Sequence, residues 1–323
     1  MSKGDRILDV QHISMRFHSK GLCVRAVTDV SFPVMEGETI GIVGESGCGK
    51  TTLGRCIVRA YEPSEGKVLY TAEDGETFDF LQIDKQTMRC YRKEIQMIFQ
   101  DPYSSLDPKM PVGEIIGEAV REHSIVSKEE YRDYVMEIMK VCGLRTYHID
   151  RYPHEFSGGQ RQRICIARSL ALKPDLIIAD EPVSALDVSI QAQIINLMKD
   201  LQQARGISYL FISHDLSVVE YISDVVGVMY LGTLVEMAPK RELFSHPRHP
   251  YTQALLSAVP VPDPEVKMNR ILLKGDLPSP ANPPSGCKFH TRCPYAMKKC
   301  SEEAPEFRDL GSRHRCACHL MEK

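Results

Sequence analysis

Thr39-Ile-Gly-Ile-Val-Gly44-Glu-Ser-Gly-Cys-Gly-Lys50-Thr51-Thr52 is a β-branched apolar run that stops at a glycine-rich turn. The run predicts a buried strand over 39–44, and the pattern from Lys50 to Ala60 predicts a helix. Strand, turn and helix in that order are the context in which G-x-x-x-x-G-K-[ST] binds phosphate. Glycines let the loop curl so that successive N–H groups point inward, and the helix N-terminus adds a field favourable to anions. Lys50 offers a cation to β- and γ-phosphates, and the Thr51 hydroxyl is suited to Mg²⁺. The candidate nucleotide-binding residues here are Gly44, Glu45, Ser46, Gly47, Cys48, Gly49, Lys50, Thr51 and Thr52. Cys48 is open to two readings, a thiol whose oxidation blocks nucleotide or one that bound nucleotide buries.

A second apolar run, Leu176-Ile-Ile-Ala, delivers Asp180 and Glu181 at its carboxyl end. That end is where α/β sheets place ligands. Asp180 suits a metal-holding role through water, and Glu181 that of the general base for an attacking water. Further strands are expected at 207–213 and 225–231, with helix between about Ile190 and Ala204. Alternation of this kind predicts a largely parallel sheet with helices on its faces. Between about residues 102 and 168 helical periodicity replaces the strand signal, which predicts a helical insertion.

The chain has 323 residues, enough for one large core and a smaller appended unit. Lys and Arg number 40 against 43 Asp and Glu, so the basic excess of a nucleic-acid binder is missing. No run approaches the roughly 18 apolar residues of a membrane span, and the start, MSKGDRILDV, has no apolar signal core. A cytosolic placement is expected. Of the eleven cysteines, six are scattered singles that suggest no disulfide framework.

With the phosphate loop and the Asp180-Glu181 pair, other segments together resemble the ABC ATPases. Phe156-Ser157-Gly158-Gly159-Gln160 resembles that family's signature, with Phe in place of the usual Leu, and a helix follows with an apolar stripe at Ile164, Ala167 and Leu170. Gln100, closing IQMIFQ, resembles the glutamine that senses Mg²⁺ and the attacking water. Ser184-Ala-Leu-Asp187 resembles the loop that crosses the dimer interface, His214 the switch histidine, and Phe17 the aromatic on which adenine stacks. The resemblance implies a P-loop NTPase (RecA-like) α/β core with an antiparallel β subdomain and a helical signature subdomain. It also implies two ATPs sandwiched between two cassettes, each signature capping the other's phosphates.

The C-terminal end narrows the resemblance. Leu243-Phe-Ser-His246-Pro-Arg-His249-Pro-Tyr251-Thr252 is similar to the extension of ATP-binding subunits that import oligopeptides, dipeptides or nickel. Its histidines, each followed by proline, read as a rigid loop and not as a ligand face. From Val259 the text turns proline-rich, and Cys287, Cys293, Cys300, Cys316 and Cys318 crowd the tail. Four thiolates on a short tail suit either Fe–S or Zn²⁺; in that subgroup four cysteines can carry an iron–sulfur cluster, which implies a [4Fe–4S] site on Cys287, Cys293, Cys300 and Cys318, the last fitting the subgroup pattern better than Cys316. The expected organisation is a cassette over 1–258 and a cysteine-rich extension over 259–323. The implied partners are a second ATPase subunit, identical or related, two transmembrane permease subunits and an extracytoplasmic peptide-binding protein, with no nucleic acid. The place of work is the cytoplasmic face of the membrane, and the cargo di- or oligopeptides, with nickel as the alternative.

Overall fold

A computed structural model of the chain describes residues 5–19, 21–259, 270–273 and 275–322. Its strands are β1 (Arg6–Ser19), β2 (Leu22–Met35), β3 (Thr39–Val43), β4 (Glu65–Thr71), β5 (Thr77–Asp79) and β6 (Ile95–Ile98). They continue with β7 (Leu176–Asp180), β8 (Ser208–Ile212), β9 (Val225–Tyr230), β10 (Thr233–Pro239), β11 (Arg308–Asp309) and β12 (Arg315–Cys316). An antiparallel sheet has the order β2-β1-β4-β5, and a mixed sheet the order β11-β12-β10-β9-β3-β8-β7-β6. The β3, β7, β8 and β9 strands, all expected from their apolar runs, are buried along their whole length. A strand buried on both faces needs cover on both, and the parallel pairing of β6 through β9 with β3 brings crossover helices to supply it.

The parallel registers matter most for the site. Ile98 lies opposite Ala179, Asp180 opposite Ile212, and Ile42 opposite Ile212. The carboxyl ends of β6, β7, β8 and β3 are therefore level, and the residues just past them share one edge of the sheet.

The insertion is helical, as its periodicity predicts. Helices Val112–Glu122, Tyr131–Val141 and Gly158–Leu170 bury Val112, Ile116, Val120, Val135, Ile138, Met139, Ile164, Ala167 and Leu170 in a shared core. Each of the Val, Ile, Met and Leu side chains contributes about 1.5–3 kcal/mol by leaving water.

Most of the first proline-rich stretch, 260–269, lies outside the described residues. The cysteine-dense tail beyond it holds strands that composition does not announce. There β12 pairs with β10, setting Cys316 opposite Glu236, and β11 pairs with β12. Glu236 is fully buried and accepts from the N–H groups of Arg248 and His249 at 2.7 and 2.9 Å and pairs with His314 Nε2 at 2.7 Å. Burial pushes its carboxyl up, but these bonds outweigh that and hold it below the usual range.

His249 caps the helix Pro250–Ser257, its Nδ1 accepting the Tyr251 N–H at 3.1 Å. It is 1% exposed, and burial lowers its pKa from 6.5 to about 4. The structural reading of this loop holds for His249, while His246 lies on the surface 3.5 Å from Glu242. A histidine kept neutral binds fewer protons folded than unfolded once the pH falls below 6.5. Its stabilising share is thus full above that value and lost as the pH drops toward 4. Lowering the pH from 7 to 5 should cost on the order of 2 kcal/mol through this residue. Urea unfolding of His249→Asn, which keeps a capping acceptor, should show that part of the pH dependence gone.

Candidate active site

The phosphate loop joins β3 to the helix Lys50–Ile57 and closes against β2. At Gly49 φ is 103°, and a Cβ there would lie 2.1 Å from the Ala26 carbonyl oxygen, so only glycine fits. Lys50, 5% exposed, turns its Nζ onto the loop's own carbonyls, Gly44 O at 2.7 Å and Glu45 O at 3.2 Å. Cys48 is 1% exposed with no nucleotide needed to bury it, and burial raises its pKa against the pull of Lys50. The fold itself buries the thiol, so neither oxidation nor cover by nucleotide is what sets its state here, and a thiol held protonated is a poor nucleophile.

Across the sheet edge, Thr51 Oγ1 donates to Asp180 Oδ1 at 2.9 Å. Asp180 is 1% exposed, burial pushes its carboxyl up, and its Oδ2 is buried with no hydrogen-bond partner among the described residues. A buried carboxylate oxygen without a donor is costly. A hard cation beside the threonine hydroxyl removes that cost, and oxygen donors of this kind are what Mg²⁺ prefers.

Glu181 comes next, with φ of 45°, a left-handed conformation that costs a non-glycine residue about 1 kcal/mol or more. Its N–H donates to Ile212 O at 2.9 Å, and its carbonyl accepts from Ser184 Oγ at 3.1 Å, so the neighbouring strand and loop hold the turn. The turn aims the carboxylate over the phosphate loop. Gln100 Nε2 donates to Glu181 Oε2 at 2.9 Å, and His214 Nδ1 lies 3.3 Å from the same oxygen. Residues 100, 181 and 214 are far apart in sequence and follow β6, β7 and β8.

One cleft of about 330 Å³ is lined by Ser46, Gly47, Gly49, Lys50, Thr51, Thr52, Gln100, Glu181 and His214. Val24, Ala26 and Pro280 complete its wall, and these three escaped the sequence reading. Nothing local marks Pro280; it arrives because Arg25 N–H donates to its carbonyl at 3.2 Å.

Other expected residues lie elsewhere. Phe17 pairs across the sheet with Val24 and turns its ring edge-on to Tyr61, 5.5 Å between centroids, outside the cleft lining. Ser157 caps the helix Gly158–Leu170 in a reciprocal capping box with Gln160. A Cβ on Gly159 would meet Ile190 Cγ2 at 2.5 Å, so the glycine lets this helix approach the one that starts after Asp187. Ser157, Gln160 and Asp187 are exposed and do not line their own chain's cleft. The four tail cysteines expected as one ligand set do not converge: among the described residues no three His, Cys, Asp or Glu side chains gather as ligands of a single metal ion.

A loop shaped for phosphates, with a carboxylate poised above it on a mixed sheet, places the molecule among the P-loop ATPases. Residues 27–184 match the ABC transporter family, and 235–300 match the C-terminal region of oligopeptide/dipeptide transporters. The oligopeptide transport ATP-binding protein AppF of Bacillus subtilis is 56% identical over 299 residues, 92% of this chain and 90% of the relative. A putative oligopeptide transport ATP-binding protein of that organism, YkfD, is 51% identical over 318 residues, 97% of this chain and 95% of its own. Among solved structures, a dimeric ATP-binding cassette in a post-hydrolysis state bound to ADP and Pi matches with a TM-score of 0.65 and 26% identity, covering 72% of this chain and 99% of that one. The chain belongs to the ATP-binding subunits of ABC transporters, in the branch with the oligopeptide/dipeptide C-terminal region.

Burial makes a checkable distinction among the thiols. In the folded protein a maleimide should modify exposed Cys90 quickly and leave Cys48 untouched until denaturant is added, as read by peptide mass spectrometry.

Proposed function

We propose that the chain is the ATP-hydrolysing subunit of an importer of di- and oligopeptides, and that the residues gathered at the sheet edge carry out the hydrolysis. The observation that carries the chemistry is the meeting of Gln100 and His214 on one oxygen of Glu181, beside the Lys50 loop. The relatives' names carry the cargo.

Loop N–H groups and Lys50 hold the β- and γ-phosphates. Thr51, Asp180 and Gln100 hold Mg²⁺, which neutralises phosphate charge when bound. Glu181 is the general base, its Oε1 taking the proton of the attacking water while Gln100 and His214 fix Oε2. His214 also contacts the γ-phosphate, and Phe17 stacks adenine. Two cassettes, identical or related, close face to face so that Ser157, Gly158, Gly159, Gln160 and Asp187 of each reach the other's nucleotide. Exposure of Ser157, Gln160 and Asp187, away from their own cleft, supports this arrangement. ATP joins the pair; loss of the γ-phosphate releases it, a shift driven by contacts that only one state makes.

Two transmembrane permease subunits receive the motion near the segment after Gln100, at the cytoplasmic face of the membrane, and an extracytoplasmic protein delivers the peptide. Among the described residues no helix is long and apolar enough to cross a membrane, which fits a subunit that works through such partners. The same machinery serves nickel as the alternative cargo. The cassette spans 1–258, and the extension runs over 259–323.

The extension holds a [4Fe–4S] cluster on Cys287, Cys293, Cys300 and Cys318 in this reading. Burial pushes the Cys318 thiol up to about 11, and the sulfurs of Cys287, Cys293 and Cys300 push the same way, so the four lie within electrostatic reach. Cys300 accepts the Met297 N–H at 3.5 Å, and the backbone N–H groups of Phe289, Tyr295 and Leu320 pull the thiols of Cys287, Cys293 and Cys318 toward the thiolate. Backbone N–H groups so placed suit cluster thiolates. Cys316 is fully buried on β12 with Glu236 opposite it, in a strand pairing that the other four do not share.

Two experiments test these assignments. Glu181→Gln should bind ATP, accumulate a closed dimer and lose about 10²–10⁴-fold in phosphate release; turnover near wild type would remove Glu181 from the base role. After anaerobic purification, Cys318→Ser should lose iron and sulfide while Cys316→Ser keeps both. A colourless, iron-free, fully folded wild type would end the cluster assignment.

A further inference from the structure

The C-terminal extension touches the phosphate loop at its second residue. Arg292 Nη1 lies 3.1 and 3.2 Å from the two carboxylate oxygens of Glu45, and its side chain is only 11% exposed. On the other side of that residue, the Glu45 N–H donates to Tyr251 Oη at 3.1 Å. Arg292 is held in turn by its neighbours. Its N–H donates to Phe289 O at 3.0 Å, and Phe289, 1% exposed, packs its ring against Tyr230 and Tyr251 at 5.3 and 5.4 Å. Lys288 ties the same turn to Leu231 O at 2.8 Å.

The charges explain why a loop for polyanions tolerates a glutamate. Glu45 follows Gly44 directly, its own carbonyl accepts from Lys50, and its carboxylate adds to the rise in the pKa of Cys48 inside the loop. An unpaired carboxylate there would repel an entering triphosphate and offset the single loop cation. The partly buried guanidinium removes that repulsion and fixes the direction of the side chain.

We propose that Arg292 is a positioning residue of the nucleotide site, neutralising Glu45 so that the loop presents net positive charge to phosphate. The pairing thereby makes the C-terminal extension part of the ATP site of its own chain. This holds whatever the tail cysteines bind, and it rests on the phosphates lodging at the Lys50 loop.

The test uses the full chain and the fluorescent nucleotide mant-ATP. Arg292→Ala should weaken binding about tenfold, equivalent to ~1.4 kcal/mol, and in the assembled transporter raise KM for ATP by a similar factor with kcat nearly unchanged. Arg292→Lys should keep most of the affinity. Glu45→Gln placed on Arg292→Ala should restore it, because the charge left unpaired is then gone; a merely structural prop would not be rescued this way. Wild-type affinity in Arg292→Ala, or a double variant as weak as the single, overturns the proposal. If Arg292→Ala does not fold, Arg292→Gln, which keeps more of the stem, must show the same pattern. Lys50→Ala tests the underlying site separately: mant-ATP binding that survives it removes the loop reading, whatever Arg292 does.

Discussion

The level carboxyl ends of four buried parallel strands are the constraint on which the rest depends. A slip of one residue between β6 and β7 or between β7 and β8 would turn each affected side chain to the opposite face. It would also separate Gln100, Glu181 and His214, which meet only because Ile98, Asp180 and Ile212 sit at matched heights. The fully buried faces of β7 and β8 oppose such a slip, since any shift exposes aliphatic surface or buries a polar group. Core packing thus sets the geometry of a site that is itself polar.

That site is held in an arrangement unfavourable in several local respects. Asp180 keeps a buried oxygen without a donor, Glu181 adopts a left-handed backbone, and Lys50 leaves water to bond with carbonyls of its own loop. Local features of this kind persist where the surrounding structure over-determines them. Here the surroundings are the strand pairing beneath, the Glu181 N–H to Ile212 bond and the close seat of Gly49 on Ala26. A metal ion would satisfy the Asp180 oxygen and a phosphate the Lys50 ammonium, while the Glu181 backbone serves to aim its carboxylate.

Much of this was legible in the sequence because the signals are local. Apolar runs of strand length located β3, β7, β8 and β9 to within a residue or two, and helical periodicity located the insertion. The phosphate loop and the Asp180-Glu181 pair are contiguous, so their chemistry could be read directly. What stayed hidden depends on contacts between distant residues. Arg292 reaches Glu45 across 247 positions, Pro280 reaches Arg25 across the cleft mouth, and β12 finds β10 with only two residues of strand. Proline-rich composition disfavours regular helix and central strand and says nothing about where the chain returns. Phe17 illustrates the same limit: its place on β1 opposite Val24 and its ring contact with Tyr61 both depend on residues that the sequence around it does not name.

The extension is bound to the cassette by interactions that would be costly to break. Glu236 is fully buried on β10, with His314 and the His249 N–H as partners. Lifting β12 away would remove His314 and leave a buried carboxylate short of a donor, which costs more than the bond itself is worth. From β10 the hydrogen-bonded path runs through β9 to β3, whose end is the phosphate loop, while Arg292 and Tyr251 grip the same loop directly. Besides the Pro280 contact at the cleft wall, two routes connect the cysteine-bearing tail to the residues that face phosphate, one through the sheet and one through a single charge pair. A tail joined only by the sheet would stiffen the cassette without altering the field at the loop; the charge pair is what gives it a say in how strongly an anion is held.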